Sequence, residues 1–61
     1  MMIYFKSGET LHIQGKEGER IKQKISEALQ NGAREFVAIS HEDRVDEIEL
    51  IVDLREIAAM R

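Results

Sequence analysis

SHEDRVDEIELIVDLREIAAMR, residues 40–61, decides the fold, because it reads either as one helix or as a strand with a tail. Ser40 followed by Asp43, with a second acid at Glu42, has the form of a helix-starting cap, and from there a helix could run to the last residue. Set on a helix, however, residues 48–54 would place apolar side chains nearly all round the cylinder. A surface helix needs one stripe. The same residues alternate cleanly with period two: Ile48, Leu50, Val52 and Leu54 oppose Glu47, Glu49, Ile51 and Asp53, which predicts a strand over 47–54. SHEDRVD before it is a polar connection of ordinary hairpin length. The tail DLREIAAMR stays open between two forms. Asp53 and Glu56 fit a capping box for a terminal helix, and Ile57–Met60 fits a short closing strand after one helical turn.

Upstream, EFVAIS (35–40) is apolar on both alternating sets, Phe36 and Ala38 on one and Val37 and Ile39 on the other. That is the pattern of a central strand covered on both faces. At the other end of the chain, residues 1–5 and 9–14 read as two strands across the turn KSGETLH. A two-residue loop would set Ile3 against His12. A three-residue loop of Lys6, Ser7 and Gly8, with Gly8 left-handed, sets Ile3 against Leu11 and Met1 against Ile13 and keeps one face apolar. The second register is the expected one, since a one-residue slip would turn the whole set outward. Gly8 is then a turn residue, and the stretch has none of the spacing of a nucleotide-binding loop.

Between the hairpins, residues 16–31 change to helical spacing, with Ile21, Ile25, Ala28 and Leu29 on one stripe and Lys22, Gln23, Ser26 and Gln30 opposite. Glu17 and Glu19 lie in the first turn, where carboxylates complement the exposed amides, and Asn31–Gly32 supplies a left-handed cap. The expected architecture is a single α+β domain over residues 1–61. It is an antiparallel sheet of four strands, five if the tail closes as one, with one helix across one face in the order ββαββ(β). The competing form is ββαβ followed by a long C-terminal helix. One helix covers one side of a sheet. The bare side would carry Met2, Tyr4, Val37 (or Phe36), Ile39 and Ile51, an apolar area of the kind that marks an interface.

Composition narrows the classes of function. A 61-residue chain buries only about 60% of its unfolded surface, and ordering it costs roughly 1.5 kcal/mol per residue, so something beyond the core is needed to hold it. There is no cysteine, which removes disulfides and thiolate metal sites together. Histidine–carboxylate metal sites and self-association remain. Twelve acids against nine bases give a net charge of −3, acidic for a general nucleic-acid binder. No apolar run approaches the ~20 residues of a membrane span, and MMIYF lacks the basic flank and length of a secretion signal, so a cytoplasmic protein is expected. Hydrophobic residues make up 43%, enough for a folded domain, and no internal repeat is visible.

The candidate chemistry is thin. His12 and His41, with Glu42 and Asp43, are acceptable metal ligands by type, but nothing in their spacing brings the two histidines together. HEDRVDEIE (41–49) is rich in carboxylates yet lacks the glycine and spacing of a calcium loop, and a hydrated connection is the simpler reading. Lys16, Arg20, Lys22 and Lys24 crowd the first half of the helix; Glu17, Glu19 and Glu27 interleave with them, as on a solvated face laced with ion pairs. No serine has a histidine partner in evidence, and the chain is small to enclose a pocket. No catalytic residue, cofactor or metal is therefore expected.

The order of elements is similar to that of small bacterial and phage proteins, which implies nothing about activity. The leading expectation is a self-associating module that binds protein through the uncovered sheet face or an exposed strand edge. One alternative is a nucleic-acid-binding regulator with Arg20, Lys22 and Lys24 against phosphates. Another is an oligomer that takes a small anionic ligand at its subunit junctions. On the first expectation, Ile39→Asp or Ile51→Asp dissociates the assembly and spares the fold.

Overall fold

The computed structural model describes residues 1–61. Alternating apolar residues form β1, Met2–Phe5, and β2, Thr10–His12, which pair antiparallel with Ile3 opposite Leu11 and Tyr4 opposite Thr10. Met1 and Ile13 extend the ladder, the Ile13 amide donating to the Met1 carbonyl at 2.9 Å. This is the register of the three-residue loop. The Gly8 amide donates to the Phe5 carbonyl at 3.0 Å, and Gly8 sits at φ 95°, where a side chain would be strained.

The helix α1 runs Gly15–Gln30 and buries Ile21 and Ile25 from the expected stripe. Its end is a Schellman motif: the Ala33 amide donates to the Ala28 carbonyl at 2.9 Å and the Gly32 amide to the Leu29 carbonyl at 3.1 Å. Its start uses a feature that periodicity does not reveal. No side chain caps the first turn at Gln14, and Gly18 presses against the end of β2 so closely that a Cβ there would lie 2.2 Å from the Ile13 carbonyl oxygen.

The second half contains β3, Phe36–Ser40, and β4, Ile48–Asp53, then one 3₁₀ turn, Leu54–Glu56, and β5, Ile57–Met60. The long C-terminal helix does not form, and the tail takes the turn-and-strand form. Asp53 explains the turn. Its carboxylate accepts the Arg55 amide at 3.0 Å and both Arg55 guanidinium contacts, at 3.0 and 3.1 Å, so it caps the turn from in front.

That turn also overturns the single sheet. β3 and β4 pair only with each other, antiparallel, while the chain swings through the 3₁₀ turn to lay β5 on the free edge of β1. The result is a three-stranded sheet in the order β2-β1-β5 and a separate two-stranded hairpin, β3–β4. The Leu54 amide donates to the Glu35 carbonyl (2.9 Å) and the Lys6 amide to the Glu56 carbonyl (2.8 Å), tying the turn to both.

Both sheets and the helix give side chains to one core, built of Ile3, Ile21, Ile25, Ile39, Val52 and Leu54. Each such residue stabilises the fold by about 1.5–3 kcal/mol through burial. β3 is therefore an edge strand with one buried face, not the doubly covered central strand that its composition predicts. No helix is long and apolar enough to cross a membrane.

Candidate contact surface

The β3–β4 hairpin carries most of the apolar surface that the fold leaves bare. Cross-strand pairing sets Val37 opposite Val52 and Ile39 opposite Leu50, all four on or against the core, so the intervening residues must point away from it. These are Phe36 and Ala38 on β3 and Ile51 on β4, with Ala38 directly opposite Ile51. Phe36 is 59% exposed and Ile51 60%. Ile48, beside the bulge at Ile39/Ser40, and Val45 in the connection are also exposed. Of the large hydrophobic residues left in solvent, only Leu29, near the end of α1, lies elsewhere.

One edge of the hairpin is open as well. The Leu54 amide bonds to the Glu35 carbonyl and the His41 amide to the Glu47 carbonyl, both at 2.9 Å, which marks the odd-numbered residues of β3 as those bonded to β4. By the same alternation, the amides and carbonyls of Phe36, Ala38 and Ser40 turn to the other edge. Ser40 confirms the direction, because its carbonyl accepts from the Arg20 guanidinium at 3.2 Å. Between this edge and α1 runs an open groove of about 410 Å³ along Val37–His41, walled by Arg20 and Lys24 and rimmed by Glu42 and Val45.

Arg20 is the electrostatic centre of that wall. Its guanidinium pairs with Glu17, one turn earlier, and with Glu49 on β4 at 2.8 Å, while His41 Nδ1 lies 3.6 Å from the same Glu49 oxygen. The hydrogen bond from Arg20 holds the Glu17 carboxyl below its ordinary range, and Glu17 in turn raises Arg20. At the far end of the hairpin, the Arg55 side chain likewise lowers Asp53. The Arg20–Glu49 pair ties α1 to β4, and with Glu17 it occupies the one arginine of the basic helix face.

The expected interface residues divide. Ile51 is exposed as predicted. Ile39 is 3% exposed and Val37 packs against the core, so both lie on the inner face; on β3 the outward set is Phe36 and Ala38. Composition could not choose between the sets, since both are apolar, and only the pairing with β4 makes one of them core. Ile39→Asp would consequently place a carboxylate in the core and disrupt the fold, contrary to its expected use as a silent interface variant. Met2 and Tyr4 sit half-buried on the outer face of the other sheet, with the Arg61 guanidinium 5.5 Å from the Tyr4 ring centre. The structure does not bring them to the hairpin's outer face.

Lys22 and Lys24 are exposed, and Arg20 and Lys24 share the groove wall; Lys22, half a turn from each, does not. His12 is on β2 and His41 beside Glu49, and no three His, Asp or Glu side chains converge as metal ligands. Of the exposed apolar residues, Phe36 is the sequence reading's alternative to Val37, while Ile48, which the bulge displaces from the inward set, and Val45, isolated in a polar loop, carry no signal in the sequence pattern. The chain matches no family model, no curated protein and no solved structure.

Proposed function

We propose that this chain is a protein-binding module that acts by contact and not by catalysis, and that its contact surface is the β3–β4 hairpin, through which it self-associates. One observation carries the reading: Phe36, Val45, Ile48 and Ile51, four large apolar side chains, are left in water on a single hairpin. Scattered single exposures need no explanation, whereas clustering of this kind is the mark of an interface. Two features add support. The core holds only six well-buried hydrophobic residues and has no disulfide, so association supplies stabilisation that the isolated fold lacks. The strand beside the patch offers unpaired backbone groups.

The test is the native mass of three proteins by sedimentation velocity. The wild-type chain sediments as an oligomer, and Phe36→Ser and Ile51→Asp, both at exposed positions, shift it to the monomer with unchanged circular dichroism. Wild-type mass retained in both variants would show that the hairpin face is not the contact surface.

A further inference from the structure

We infer that the open edge of β3 pairs antiparallel with the same edge of a second copy, about a two-fold axis passing beside Ala38, so that two hairpins join into one four-stranded sheet. This rests on the reading of the hairpin as a contact surface and names its partner.

The open edge is made of the even-numbered residues Phe36, Ala38 and Ser40, and a two-fold at Ala38 pairs even with even: Ala38 with itself and Phe36 with Ser40 of the second copy. The strand lacks two of the devices that keep edges apart, having no charge and no proline between Phe36 and Ser40. Ser40's carbonyl, already accepting from Arg20, has a second lone pair for the incoming amide. The outward side chains of each copy then lie on one continuous surface.

The flanking charges select the second copy over an unrelated strand. The stretch is REFVAISHE, residues 34–42, and it is complementary to its own reverse. With Ala38 on the axis, the residues flanking β3 (Phe36–Ser40) at its two ends fall beside one another, Arg34 near Glu42 of the second copy and Glu35 near His41, each twice by symmetry. Arg34 and Glu42 are both exposed, and neither has an ion-pair partner within the chain. Shifting the axis one residue either way sets Arg34 against Ser40 or against Arg44, and the charge match is lost.

Three variants test this in sedimentation equilibrium. Ala38→Pro removes an amide that lies outside the β3–β4 ladder, so the monomer fold keeps its bonds while the incoming strand loses its central one; the dimer is lost and the circular dichroism unchanged. Arg34→Glu makes two attractive contacts repulsive and weakens the dimer about tenfold at low salt, less at high salt. Arg34→Glu/Glu42→Arg restores the match and brings the affinity back to within about threefold of wild type. Should Ala38→Pro fail to fold, the charge pair alone decides. A dimer unaffected by Arg34→Glu, or not restored by the double swap, but dissociated by Ile51→Asp, would overturn edge pairing and leave the hairpin face as the contact surface. A wild-type chain that stays monomeric overturns both.

Discussion

Ile39 and Ile51 stand on the same hairpin, one strand apart, and the fold assigns them opposite faces. Truncating each to alanine measures that assignment. Ile39 is 3% exposed, so Ile39→Ala forfeits the full transfer free energy and leaves a cavity, for a loss of about 2–5 kcal/mol. Ile51 is 60% exposed. Its truncation forfeits less than half of the roughly 1.5–3 kcal/mol of complete burial and opens no cavity, so the loss is about 1 kcal/mol or less. Natural domains hold ~0.05–0.15 kcal/mol per residue, which for 61 residues is about 3–9 kcal/mol in all. Ile39→Ala thus removes a large share of the stability and Ile51→Ala a small one. Urea unfolding followed by circular dichroism, run dilute enough that association adds nothing, reads both values on one scale. Equal losses in the two variants, or a larger loss at Ile51, would refute the assigned faces and with them the contact surface.

Gly18→Ala forces a Cβ against the Ile13 carbonyl and costs about 1–3 kcal/mol, where a helix-interior glycine in open space would gain stability on the same change; a raised melting temperature would mean the approach is looser than described. Glu17 and Asp53 both titrate lower in the folded chain than in the unfolded one, so their contributions are complete above the ordinary carboxylate range and disappear as pH falls through it and below. Unfolding free energies measured from neutral pH down to pH ~3 should therefore fall with acid, and less steeply in Glu17→Gln/Asp53→Asn; an identical slope in that variant would remove these two groups from the account. With Arg20 held by Glu17 and Glu49, the helix face is expected not to retain DNA or RNA at low salt. Retention that weakens steeply with added salt, and is abolished in Lys22→Ala/Lys24→Ala, would instead favour the nucleic-acid reading.

How far the fold was legible depended on whether a pattern had one solution. The first hairpin had one: only the three-residue loop put Ile3, Leu11, Met1 and Ile13 on a common face, and Gly8 supplied the conformation that loop requires. Ile21 and Ile25 announced the buried side of α1 for the same reason. Residues 48–54 were legible as a strand because helical placement would have left no polar side. What followed Asp53 was not, since a capped terminal helix and a capped single turn begin with the same residues. The choice is made by the free edge of β1, a partner about fifty residues away in sequence, and with it goes the division into two sheets. β3 shows the limit most plainly. FVAIS reads as covered on both faces, and it is covered on one; the uncovered apolar set is the proposed contact surface, which local composition cannot distinguish from core. The Gly18 contact left no periodic trace, because the need for a missing Cβ arises only when α1 meets the end of β2.

The β3–β4 hairpin is proposed to join one copy of this chain to another. Sedimentation equilibrium of the wild-type protein, from low to high micromolar concentration, tests it most directly. The average mass should rise with concentration toward that of two chains. A mass that stays at one chain, 7.0 kDa, across the whole range would contradict it.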